Sequence, residues 1–283
     1  MTTTTTESRP VERSLEAQAW SALLSPPGSW RALGLALVTL GLMTLAALVM
    51  LVVATLTLFR ARRLYTEVLA RGLVRAILRL WRIDVVVHQD RPFPVRQTVY
   101  VSNHTSTIDL FVLVALGFPR TRYFLSGFLR KLLPLGVIAS LMGTFFTCPQ
   151  TDRAGRVRCF QRADRRLRQT GDSVYLSPEG QRVTTGRIGH FNKGAFHLAT
   201  SLGAPIVPLY LEIPPGIDPG KGYAARPGTV HVHVGPEIPT DDWRLEELEA
   251  NRARVRELFV RFEDGLRSGR WTGAWRPVPA ARA

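Results

Sequence analysis

The stretch "VSNHTSTIDLFVL", residues 101–113, sets an imidazole, His104, five positions before a carboxylate, Asp109. An imidazole takes a proton from a hydroxyl near neutral pH, and a carboxylate on its other ring nitrogen fixes the tautomer and stabilises the imidazolium that forms. On one continuous helix a separation of five leaves two side chains about 140° apart, and they would not touch. The pair meets only if His104 lies on the loop leaving a strand at 98–102 and Asp109 lies in the first turn of the next helix. Thr105, Ser106 and Thr107 all suit the cap of that helix. A competing reading uses the same residues: Ser106-Thr-Ile-Asp109 fits a capping box in which Asp109 bonds only backbone. No serine or cysteine nucleophile stands beside the pair, which favours direct attack by a deprotonated substrate alcohol over an acyl-enzyme.

A second segment, "VYLSPEGQRV" at 174–183, reads as an apolar strand ending in a tight loop that holds Glu179, Gly180 and Arg182. Gly180 permits close backbone approach, and the planar guanidinium of Arg182 suits phosphate oxygens. Glu179 is expected to hold that guanidinium in place; the plain alternative is a surface turn with a salt bridge. In a third segment, "FNKGAFHLATSLGAPIVPLYL" at 191–211, Lys193 opens a helix whose free N–H groups could help it meet an anion.

These segments need a scaffold. From Ile83 onward, strand-like runs ("IDVVVH", "TVYVS", "RYFLS", "GTFFTC", "SVYLS", "PIVPLYLEI", "TVHVHVG") alternate with helical ones at 107–116, 127–142, 153–169 and 192–202, and 241–266 is a long charged helix. The alternation predicts an α/β domain with a mixed, largely parallel sheet flanked by helices. No GxGxxG or GxxxxGKS fingerprint is present in the sequence. Residues 32–59 form an uncharged, mostly apolar run of 28, about 42 Å as a helix against a hydrocarbon core of about 30 Å. The run is too long for a signal-peptide core and ends in "RARRLY" rather than a small-residue cleavage site, so it reads as a retained transmembrane helix. Arg60, Arg62, Arg63, Arg71, Arg75, Arg79 and Arg82 follow it, which by the positive-inside rule sets the rest of the chain on the cytoplasmic face of the cell membrane after a single pass. The expected organisation is a disordered tail at 1–29 with a short helix near Val11 to Leu24, an anchor at 30–60, a basic amphipathic juxtamembrane helix at 61–82, a catalytic domain at 83–270 and a tail at 271–283.

The formal net charge is +15, and only three of the 37 basic residues are lysine. Such a balance calls for an acidic partner: nucleic acid, an anionic membrane surface or a phosphorylated substrate. The anchor and the motifs favour lipid over nucleic acid. Cys148 and Cys159 lack metal-ligand spacing and read as reduced core or near-core residues. His88, His190, His197, His231 and His233 have no catalytic context, and no metal is expected.

Taken in order, Asn103-His104 with Asp109, Pro178-Glu179-Gly180-Gln181-Arg182, Phe191-Asn-Lys193-Gly194 and Ala204-Pro-Ile-Val-Pro208 resemble the glycerolipid acyltransferase family that includes the PlsC-like 1-acylglycerol-3-phosphate acyltransferases. The resemblance covers roughly residues 80–236. It implies that His104 and Asp109 act as base and orienter, and that Glu179, Gly180 and Arg182 bind the acceptor phosphate. It further implies a lysophospholipid acceptor, lysophosphatidic acid first, an acyl-CoA or acyl carrier protein donor, and no cofactor beyond that donor. Three departures stand out: Gln181 replaces the family's usual Thr, Ser177 precedes the proline, and a Gly-x-x-Phe-aliphatic-Asp-Arg motif survives only as "GTFFTCPQTDR", with Asp152-Arg153 after an apparent insertion. Two alternatives remain open: the same chemistry on another lysolipid, such as the lyso form of an amino-acid-containing lipid, or a noncatalytic basic membrane tether.

Overall fold

The computed structural model describes residues 30–149, 151–183, 185–217, 225–269 and Trp275. The expected N-terminal tail, with its helix near 11–24, and the C-terminal tail apart from Trp275 lie outside the described residues. Helix α1 (Trp30–Leu56) leads through a π-helical stretch at Leu64–Ala70 into α2 (Arg71–Leu80). The elements that follow are β1 (Ile83–His88), β2 (Val99–Ser102), α3 (Asp109–Leu116), β3 (Thr121–Ser126), α4 (Leu135–Leu141), β4 (Phe145–Thr147) and α5 (Arg153–Thr170). The chain continues through β5 (Ser173–Leu176), α6 (Gly194–Leu202), β6 (Ile206–Glu212), β7 (Gly228–Val234) and α7 (Leu248–Arg267).

The seven strands form one sheet in the order β1-β7-β6-β2-β5-β3-β4. Every neighbouring pair is parallel except β6 and β7, the mixed, largely parallel sheet that the alternation predicts. Its central strands β2 and β5 are buried on both faces, because alternate residues point to opposite sides and helices cover each. Tyr100 faces a core shared with α1, α2, α3 and α4, whereas Val99 and Val101 face a second core shared with α5, α6 and α7.

Two helices differ from their sequence expectations. The helix expected at 127–142 is split into a 3-10 turn at Gly127–Lys131 and α4, because Pro134 has no N–H to donate into a continuing helix. The helix expected at 241–266 begins at Leu248, after a 3-10 turn at Leu245–Glu247.

Helix α1 is long and apolar enough to cross a membrane by length and composition. Along one stripe it docks onto the domain: Thr39, Met43, Ala47, Met50 and Ala54 are buried against α2, α4 and the π-helical stretch. Each methionine so buried contributes on the order of 1.5–3 kcal/mol. At one end of the stripe Trp81 Nε1 donates to Thr39 Oγ1 at 2.9 Å. At the other, Asp172 pairs with Arg62 (2.6 Å) and Arg122 (2.8 Å). The basic segment 61–82 has a structural task as well. Arg71 and Arg75 donate to the carbonyls of Ala115 and Leu116 at the end of α3, where orphan carbonyls and the helix dipole favour cations.

Candidate active site

Because β2, β5 and β6 run the same way, the loops after β2 and β5 leave the sheet at one end, the usual place for ligands in such folds. Register pairing of Val101 with both Leu176 and Pro208 makes those loops immediate neighbours. Asn103 locks the first: its side chain donates to Leu211 O (3.0 Å) and accepts from Leu211 N (2.8 Å), extending the β6 contact one step past the strand. Ser102 donates to Asn103 O at 2.7 Å, so the Tyr175 hydroxyl, 2.9 Å away, is the donor to Ser102 Oγ. Burial pushes the Tyr175 phenol far above its ordinary value, which keeps that donor in place.

His104 lies on the loop and Asp109 opens α3, with Nδ1 and Oδ2 2.6 Å apart. Asp109 is buried while the histidine side chain is 33% exposed, so the ring meets solvent and its support does not. The same Oδ2 accepts from the backbone N–H groups of Thr105 (2.9 Å) and Ser106 (3.2 Å). Orienter and capping box, which compete as readings of the sequence, are thus satisfied together by one oxygen. A carboxylate at Nδ1 makes that nitrogen the N–H and leaves Nε2 with the lone pair a base requires.

The loop after β5 interlocks with this one. Val183 N donates to His104 O (2.8 Å), and Arg182 Nη1 donates to Thr107 Oγ1 (2.7 Å). Gly180 sits at φ 70°, the left-handed conformation that a side chain would strain. Glu179 departs from its expected role. Instead of holding Arg182 it is buried, with Oε2 accepting from His104 N (2.6 Å) and Oε1 from Gly189 N (2.7 Å). Burial raises the pKa of this carboxyl against the pull of those two N–H groups. Both oxygens are committed to backbone, so Glu179 sets the position of His104 and leaves any anion to Arg182. Asn192, two residues ahead of α6, clamps the loop by donating to Pro178 O and Glu179 O, each at 3.0 Å. Its place beside Lys193 in the "FNKG" segment was the only signal available.

The remaining candidates lie elsewhere. Lys193 is drawn to Glu249 of α7 at 2.9 Å instead of to an anion at the start of α6. Asp152 caps α5 by accepting from Gly155 N at 2.7 Å, and Arg153 is that helix's exposed first residue. His88, His231 and His233 stack on one another at the β1–β7 edge, away from His104. Cys159 is buried and Cys148 half-buried, both as free thiols.

An imidazole–carboxylate pair at the carboxyl ends of a mixed sheet, interlocked with an arginine loop, is an arrangement whose chemistry suits acyl transfer to a hydroxyl. Residues 84–212 match the Acyltransferase family. It is 34% identical over 137 residues to the chloroplastic 1-acyl-sn-glycerol-3-phosphate acyltransferase of Brassica napus, covering 48% of this chain and 39% of that protein. To the human 1-acyl-sn-glycerol-3-phosphate acyltransferase beta it is 33% identical over 155 residues, covering 55% of each. Among solved structures it is similar to the PlsC 1-acyl-sn-glycerophosphate acyltransferase of Thermotoga maritima, with a TM-score of 0.63 at 22% identity, over 83% of this chain and 98% of that one. The chain spans less than two thirds of the length of the first of these relatives.

Proposed function

We propose that the protein moves an acyl chain from a thioester, on coenzyme A or a carrier protein, to the free hydroxyl of a lysophospholipid, with lysophosphatidic acid as acceptor and phosphatidic acid as product. The observation that carries this reading is the interlock of the two loops, which brings the loop of His104 and the loop of Arg182 into direct hydrogen-bonded contact. Nε2 of His104 takes the proton of the acceptor hydroxyl, and the oxygen attacks the thioester carbonyl. The C–S bond then breaks, and the imidazolium returns its proton to the departing thiolate. Asp109 keeps the ring in the required tautomer, and Arg182 holds the acceptor phosphate so that the hydroxyl meets the ring.

The same reading has the enzyme on the cytoplasmic face of a membrane, attached through α1. In support, Trp30–Val38 extends about 13 Å beyond Thr39 without a buried residue. It leaves the domain beside Trp81, at the end of the sheet from which His104 emerges. A lysolipid in that bilayer would then reach the site without crossing water. The test is transfer of a radiolabelled acyl chain to lysophosphatidic acid, with other lysolipids in parallel. His104→Ala is expected to lower kcat by about 10²–10⁴-fold with membrane extraction and folding unchanged. Full turnover by that variant rejects the mechanism, and preference for a different lysolipid corrects the acceptor.

A further inference from the structure

Helices α5 and α7 lie in the same layer and are both rich in arginine, but their arginines do different things. In α7, Arg252, Arg254, Arg256, Arg261 and Arg267 each donate to a side chain or a carbonyl of this chain. In α5, seven arginines share the helix with one acid, Asp164, which pairs with Arg168. Arg158, Arg162 and Arg165 follow one another at i, i+4 and i+7, so they form one exposed stripe alongside the buried line of Cys159, Ala163 and Leu167. Arg166 flanks them. Among the described residues no carboxylate pairs with any of these four. Like charges at this spacing repel one another, a standing cost that an anionic partner would remove.

Position narrows the partner. The buried side of α5 belongs to the core shared with α6 and α7, whereas α1 packs in the core on the other side of the sheet. The arginine stripe therefore faces away from the layer that holds the apolar helix, and a water-soluble acidic surface suits it better than the bilayer. The middle of the helix packs toward the site: the Phe160 ring lies against Gly194, two residues beyond the Asn192 that clamps the Glu179 loop.

We infer that the outer face of α5 docks an acidic carrier protein that presents the acyl thioester to His104. This rests on the acyltransferase reading and commits it to the carrier-borne donor. The carrier would leave as the free thiol, with the proton His104 took from the acceptor. The test compares the full-length protein with the triple variant Arg158→Glu, Arg162→Glu, Arg165→Glu, using palmitoyl-carrier protein and palmitoyl-CoA as alternative donors to lysophosphatidic acid. The variant is expected to raise KM for the carrier-borne donor by about tenfold or more, and added salt to do the same to the wild type. KM for palmitoyl-CoA should stay within about twofold, which also reports that the variant is folded. The milder triple Arg→Gln variant should move the same way by less. Equal losses with both donors, or an unmoved KM for the carrier-borne donor, would overturn the docking surface. A wild type that uses only palmitoyl-CoA overturns it too and leaves the acyltransferase reading intact. If neither donor is consumed, that reading fails, and fluorescence anisotropy of labelled acyl-carrier protein decides the docking separately. Binding lost in the triple Glu variant upholds it, and no binding to the wild type ends it.

Discussion

Asp109, after β2, and Glu179, after β5, are the same functional group in nearly the same setting: both are buried and both accept two backbone N–H groups. They differ in what else they hold. Asp109 gathers its bonds on Oδ2 and adds the imidazole, while its Oδ1 has no partner among the described residues. Glu179 divides its two oxygens between two loops and touches no reactive atom. One carboxylate therefore acts on the chemistry of a side chain, and the other on where that side chain stands. A sequence motif records both simply as acids.

Four substitutions probe this contrast. The largest effect is expected from Asp109→Asn, which keeps the shape but loses the charge and favours the wrong tautomer: kcat should fall by about 10²–10⁴-fold. In a His104→Ala background the same change should cost almost nothing more, since Asp109 acts through the ring; an additive loss would break the contrast. Arg182→Gln should raise KM for a phosphate-bearing acceptor by about 10–100-fold, the worth of a charge-assisted bond, and leave kcat nearly intact. Glu179→Gln aims an amide N–H₂ at a backbone N–H, so thermal unfolding should register a loss of about 1–3 kcal/mol, accompanied by lower kcat from a displaced His104. Its pH dependence carries a definite sign. The folded-state pKa of Glu179 is raised above its ordinary value of 4.5, so the carboxyl's contribution is complete below that value and is lost as pH climbs through the folded one. The melting temperatures of wild type and Glu179→Gln should accordingly converge as pH rises through that window, and a widening gap would contradict the burial argument. Smallest of all, Lys193→Ala disturbs only an exposed pair with Glu249 and should leave activity and melting temperature as they were.

Much of this was legible in the chain itself. Alternating apolar runs gave the sheet and its helices, and helical geometry alone required His104 and Asp109 to straddle a loop–helix junction. What the sequence hid were bonds between segments distant in the chain. Glu179 reaches His104 N across 75 positions, and Asn103 reaches Leu211 across 108. No local pattern encodes a side chain that serves another loop's backbone. The same limit applies to Arg71 and Arg75: their regular spacing marks a basic amphipathic helix, and nothing in it announces that their donors cap α3. Local rules also gave way where one residue dominated, as Pro134 did in dividing the helix expected at 127–142.

The seam between α1 and the domain bears on how the protein can be handled. Val74, Ile77, Trp81 and Met142 are sheltered in the same cluster as Met43, Met50 and Ala54 of α1. Trimming the chain after residue 56 to obtain a soluble enzyme would strip the cover from those side chains and leave the Trp81 indole N–H without its threonine. The shortened protein would trade one greasy surface for another, and detergent would still be needed to keep it from clumping.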